Sequence, residues 1–218
     1  MHLNVHRRGH WMFKIGLGRS PSFVHAALGF MLLILAAPIH AADIPVANGV
    51  FLVAKPGMAD PNFRDTVVLI TEPEVGGGPI GVIVNRPLNA RLSEAVPDLG
   101  DVPEQFDKIY SGGPVARNMM LLLVRTPQAP ERSLQVLADV YLTGDRELLG
   151  KIVRGETTVT ALRAYVGYSG WAPDQLQAEI AREGWYVIKA DADMIFAEDP
   201  STVWKTLMRR IKAVVAAK

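Results

Sequence analysis

Thr66-Val67-Val68-Leu69-Ile70-Thr71 and Ile80-Gly81-Val82-Ile83-Val84-Asn85 are the two runs whose reading decides the fold of this chain. Both are short, rich in β-branched residues and almost continuously apolar, the pattern of a buried strand. The connection from Glu72 to Pro79 carries Gly76-Gly77-Gly78, so the two runs read as a hairpin. Pro87 is expected to stop the returning strand, because proline has no N–H for a ladder.

Outward from this hairpin, Gly49 to Ala54 is apolar and reads as a further strand. Lys108 to Ser111, Met119 to Arg125, Leu134 to Leu142, Thr160 to Gly167 and Tyr186 to Ala190 read as strands too. Helical signals are fewer. Ala90 to Val96 fits a short helix, and Asp145 to Arg154 fits another stopped by Gly155. A helix from Pro173 to Gly184 starts on a proline suited to the first turn. After Asp199-Pro200, Val203, Trp204, Leu207, Met208, Ile211, Val214 and Val215 recur at helical spacing, with Lys205, Arg209, Arg210 and Lys212 mostly on the other face. No repeat, linker or low-complexity segment divides residues 42–218, which read as one domain.

The N-terminus has a different character. Arg7, Arg8, Lys14 and Arg19 precede an apolar stretch from Ala26 to Ala37, about 12 residues and in the signal-peptide range. Ile39-His40-Ala41 then offers a cleavage site before Ala42. Residues 1–41 are therefore expected to be a secretory signal and the protein to be periplasmic or otherwise exported. Arg7-Arg8 has the start of a twin-arginine signal, but the residues after it fit poorly. The alternatives are an uncleaved anchor, or a later start such as Met12 on a cytoplasmic protein. As an anchor, Phe23 to Ile39 is marginal beside the roughly 20 residues a spanning helix needs.

Composition removes several chemistries. All five histidines (His2, His6, His10, His25, His40) fall in residues 1–41, and cysteine is absent. The remaining domain has no imidazole and no thiol, which excludes a Ser-His-Asp triad, a cysteine nucleophile, an Fe–S cluster and the usual zinc sites. Oxygen ligands alone would suit a magnesium- or calcium-like ion, but no carboxylate-rich loop is evident, and no metal or cofactor is expected. Residues 1–41 hold 4 of the 23 basic residues and none of the 22 acidic ones, leaving 19 against 22, a net charge of −3. Nucleic acid is a poor expectation for such a surface, because affinity for it comes mainly from neutralised phosphates.

Four turn-rich signatures stand out: Lys55-Pro56 with Asp60-Pro61-Asn62-Phe63; Gly81-Val82-Ile83-Val84-Asn85-Arg86-Pro87; Ser111-Gly112-Gly113-Pro114-Val115; and Gly167-Tyr168-Ser169-Gly170-Trp171-Ala172-Pro173-Asp174-Gln175-Leu176. Each sets glycine or proline beside a polar or aromatic residue at the end of a β-like run, where special backbone angles and side-chain presentation coincide. In this order they resemble the YqgE/AlgH family of small bacterial proteins, from about Gly49 to about Trp204. The resemblance implies an α+β fold on a bent, mostly antiparallel β-sheet, or partly open barrel, flanked by helices. It also implies a transcriptional regulator, and it brings no established enzymatic activity. Where the family reads Glu-His after its second strand, this chain reads Glu72-Pro73, so any role of that imidazole is absent.

The signatures supply the candidate binding residues. Arg86, oriented by Asn85, has the fork geometry for a carboxylate or phosphate; alternatively it pairs with a nearby acid such as Asp60. Ser111, Gly112 and Gly113 offer bare backbone N–H groups for an anion, or simply a tight turn. Tyr168, Trp171 and Gln175 make a polar-aromatic cluster at a helix start, suited to a pocket, a partner hot spot or a core plug. Three functions follow: a non-catalytic binding or regulatory module for a small anion or a protein partner, a DNA-binding regulator, or an enzyme relying on Asp60, Ser111 and Tyr168. The first is preferred, because no nucleophile stands beside a base.

Overall fold

The computed structural model describes residues 45–72 and 78–217. The leader, the Gly76-Gly77 part of the hairpin and the Glu72-Pro73 departure at Pro73 lie outside the described residues. The chain builds β1 (Val50–Ala54), β2 (Val67–Glu72), β3 (Ile80–Ile83), β4 (Pro87–Arg91), β5 (Lys108–Ser111), β6 (Val115–Arg125), β7 (Leu134–Leu137), β8 (Val140–Thr143), β9 (Ala161–Gly170) and β10 (Trp185–Lys189). The helices are α1 (Leu92–Ala95), α2 (Arg146–Val153), α3 (Gln175–Ala181), α4 (Ala192–Ile195) and α5 (Val203–Ala216). The strands form one curled sheet in the order β10-β1-β2-β3-β9-β6-β8-β7, a half-barrel flanked by the helices, and the fold is α+β as expected. Every pairing is antiparallel except β5 with β9. Among the described residues no helix is long and apolar enough to cross a membrane.

The continuous apolar runs have a direct explanation. Phe51, Val53, Val67, Leu69, Val82 and Val84 point into one core, closed by Ile195, Val203, Leu207 and Met208 from α4 and α5. The intervening Leu52, Ala54, Val68, Ile70 and Ile83 point to the other face, against Trp171, Leu176 and Trp185. Strands covered on both faces have no position left for a polar side chain. A third cluster joins α1 and α2 to the outer face of β6 and β9 through Leu92, Leu149, Ile152, Leu122, Val124 and Leu162.

Several boundaries differ from expectation. Pro87 does not end the ladder; it opens β4 and lies opposite Tyr110. A proline at the first residue of a strand forfeits no bond that the ladder needs. The helix read over Ala90 to Val96 shortens to α1, because Ala90 and Arg91 belong to β4, and Asp107 caps it from another element by accepting from Ser93 N at 2.7 Å. Leu134 to Leu142 is two strands, turned at Ala138-Asp139, with Asp139 drawn to Arg125 Nε at 2.7 Å. Pro173 lies ahead of α3, since Asp174 takes φ 61° and the helix starts at Gln175; it ends at Ala181, before Gly184. In α5 the stripe from Val203 to Ile211 packs inward, and Trp204 Nε1 donates to Ala54 O at 2.8 Å. Val214 and Val215 lie past that core and are exposed.

β9 is the hub, since β3, β5 and β6 all pair with it. Where they meet, an added Cβ on Gly112 would lie 2.2 Å from Gly167 O, and one on Gly113 would lie 2.3 Å from Tyr168 O. Only glycine fits between backbones this close. Gly112→Ala is therefore expected to lower stability by roughly 2–3 kcal/mol in urea unfolding, the usual cost of overpacking. Gly144→Ala, whose Cβ would meet nothing nearer than Met120 O at 3.8 Å, is expected to stay within about 0.5 kcal/mol of the parent.

Candidate functional site

The first two signatures meet in one loop. Asp60 Oδ1 accepts from Asn62 N at 2.8 Å, and Asp60 O accepts from Phe63 N and Arg64 N at 3.0 Å. Asn85 then spans the loop's end: its Oδ1 accepts from Val67 N at 2.8 Å and its Nδ2 donates to Asp65 O at 2.9 Å. That grip holds Asp65 at φ 56°. Arg86 donates to Asn62 O at 2.6 Å and to Arg64 O at 3.2 Å. Burial lowers the Arg86 pKa, against the opposing pull of the Asp60 charge. Asp60, Asn85 and Arg86 are thus brought together, with both side chains of the Asn-Arg pair occupied by backbone groups.

The third signature joins through the main chain. Ser111 N donates to Arg86 O at 2.9 Å and Gly112 N to Val166 O at 2.9 Å, while Gly112 O accepts from Ile83 N at 2.9 Å and Ser169 Oγ at 3.0 Å. The N–H of Gly112 is already committed inside the sheet junction.

The fourth signature divides. Trp171 is 4% exposed and Trp185 3% exposed, with ring centres 6.2 Å apart. Phe63 stacks on Trp171 at 5.8 Å and meets Trp185 edge-on at 5.4 Å, so the Asp60 loop is clamped to this pair. Glu179 Oε2 accepts from both indoles, at 3.0 Å from Trp171 and 2.9 Å from Trp185. Gln175 completes the set, donating to Glu179 Oε1 at 2.9 Å and accepting from Ala172 N at 3.0 Å. Glu179 had no distinguishing mark in the sequence; its position one turn after Gln175 on α3 is the only available signal.

Tyr168 lies apart from this clamp, half-buried on β9 opposite Val115. There the pairing of β6 with β9 jumps from Val115↔Tyr168 to Met120↔Val166. Five steps along β6 match two along β9, so about three residues are extruded from the ladder, the geometry of an enlarged bulge. Ala116 turns at φ 46°, and Val115, Arg117, Asn118 and Met119 are exposed. Beneath them Gly167 takes φ 70°, and a Cβ there would lie 2.7 Å from Val115 O.

A second feature escaped the motif reading. Arg163 on β9 is 6% exposed and donates to Val84 O at 3.0 Å and to Ala197 O. Its guanidinium lies over the Tyr110 ring at 4.4 Å. Beside it is a cavity of about 380 Å³, lined among others by Phe106, Tyr110, Leu162 and Phe196. Burial raises the Tyr110 pKa, with Arg163 opposing, and raises that of fully buried Tyr165 for the same reason. The Tyr165 hydroxyl has no hydrogen-bond partner. The sequence signal was a lone arginine in the apolar run Ala161-Leu162-Arg163-Ala164-Tyr165.

The family model described as AlgH-like matches residues 51–216. The chain belongs to the AlgH-like family. It is 32% identical over 165 residues to the UPF0301 protein of Chlorobium luteolum, covering 75% of this chain and 85% of that protein. It is 34% identical over 174 residues to a UPF0301 protein of Anaeromyxobacter dehalogenans, covering 74% and 86% respectively. The solution structure of the AlgH protein from Pseudomonas aeruginosa superposes with a TM-score of 0.64 at 28% identity, over 78% of this chain and 93% of that one. The crystal structure of protein DIP2367 from Corynebacterium diphtheriae shares the fold, with a TM-score of 0.66 at 24% identity over 78% and 90% of the two chains. The half-barrel is thus the AlgH-like fold.

If the Glu179 carboxylate holds the aromatic clamp, removing it strands two buried indole N–H donors. Glu179→Ala is expected to cost about 2 kcal/mol in thermal or urea unfolding and to red-shift tryptophan emission. Glu179→Gln keeps an acceptor oxygen and is expected to cost about half that or less.

Proposed function

We propose that this AlgH-like chain is a non-catalytic binding module that engages a protein partner through the segment extruded from β6, and that residues 1–41 export it. The observation that carries this reading is the bulge itself. About three residues leave the ladder on a base where backbone crowding demands glycine, so the exposed Val115, Arg117 and Met119 are held out from a rigid support. Aromatic, methionine and arginine side chains are the types enriched at protein interfaces, and Tyr168 flanks the same segment. The chemistry of the other signature residues supports a scaffold in preference to catalysis. Asp60 caps a turn, Asn85 and Arg86 hold backbone groups, and Glu179 is divided between two indoles. A direct regulator of DNA has less support, given the net charge of −3 over residues 42–218.

Two experiments test the proposal. A photo-crosslinking residue placed at Met119 in cells is expected to give a discrete adduct that weakens when Arg117 is changed to Glu, whereas one at exposed Val214 gives none. Identical adducts at both positions, or none at Met119, would remove the bulge as a docking surface. For export, fractionation with intact mass is expected to show a periplasmic species beginning at Ala42. A cytoplasmic species retaining residues 1–41 would refute export and return the regulator to first place.

A further inference from the structure

We propose that the cavity beside Arg163 is a binding site for a small organic monocarboxylate with a flat apolar body. A buried guanidinium carries a large desolvation cost unless its charge is paired. Among the described residues no carboxylate lies within ion-pair distance of Arg163. Two backbone carbonyls and the face of Tyr110 meet part of that cost. Arginine has five N–H donors in a planar fork, and the two carbonyls leave the fork incompletely used. Arg163 lines the cavity, so the unused donors border open volume. A carboxylate entering there satisfies donors and charge together, which is the pairing guanidinium forms best.

The walls restrict what accompanies the anion. Phe106, Leu162 and Phe196 give an apolar enclosure, and about 380 Å³ lies at the small end of ligand pockets. That space suits one ring or a short branched chain. Exposed Lys108 stands at the mouth, but so do exposed Glu104 and Glu198. The two mouth carboxylates repel a dianion more than a monoanion, which favours a carboxylate over a phosphate ester. Tyr110 is held neutral, since burial raises its pKa, so it adds no negative charge to the floor. This site does not depend on partner docking at the β6 bulge.

The test is a titration of the purified protein with benzoate, followed by calorimetry and by the side-chain N–H resonance of Arg163. Saturable binding in the millimolar range or tighter is expected, with phenyl phosphate and neutral benzyl alcohol each about tenfold weaker. Because Arg163→Met removes the ties to Val84 and Ala197 and is prone to unfold, the deciding variant is Thr160→Trp. Thr160 is exposed at the cavity wall, and a bulky side chain there is expected to weaken benzoate about tenfold without changing the melting temperature. Glu198→Gln is expected to tighten it by roughly two- to fivefold by relieving repulsion. No saturable response to benzoate overturns the proposal. So does equal binding of benzyl alcohol, or a benzoate affinity unchanged in Thr160→Trp.

Discussion

Close approach of backbones at β9 is the constraint on which the rest of this molecule depends. Gly112 and Gly113 fit against Gly167 and Tyr168 because they lack side chains, and this lets β5 run parallel beside a strand that also pairs with β3 and β6. The approach also fixes Gly112 O, which collects bonds from Ile83 N and Ser169 Oγ. A side chain at any of these glycines would push strands apart at the hub, and the curl of the half-barrel would change with it. The signature glycines are thus positions of minimal volume first and of conformational freedom second.

From that hub two kinds of polar residue can be distinguished. Asn85, Arg86, Asp60 and Glu179 are connectors whose polar atoms end on backbone groups or indoles. Together they fasten the Asp60 loop between the sheet junction and the Trp171–Trp185 pair, with Phe63 as the apolar pin. Arg163 is of the other kind. It is more deeply buried than Arg86, it has no carboxylate partner among the described residues, and it faces open volume. Charge buried without charge to meet it is costly, and a fold tolerates it most readily where something else completes the pair.

Much of this was legible in the chain. The β1, β2 and β3 runs and the pairing hairpin follow from continuous β-branched apolar sequence, and α2 and α5 from spacing and stop signals. Pro87 and the Leu134–Leu142 run were misread because a strand end depends on what lies opposite. Tyr110 supplies a partner for Pro87, and Arg125 draws Asp139 into a turn. The four signatures were found as residues but not as a set. Asp60 and Arg86 meet, Trp171 and Gln175 meet, and Tyr168 belongs to a third place beside the β6 bulge. The sequence distance between these segments conceals each grouping.

By itself the sequence determined the family, the buried strands and the chemistry that residues 42–218 lack, because these rest on composition, on periods of two or 3.6 residues and on motifs read within a short window. Only the tertiary structure decided which glycines are crowded, where β6 leaves its ladder, and that Arg163 stands over Tyr110 beside a cavity. Those facts depend on contacts such as Arg163 with Val84, 79 positions apart in the chain. No local pattern encodes such a contact, since it arises when the sheet curls and brings both ends of the chain onto β9.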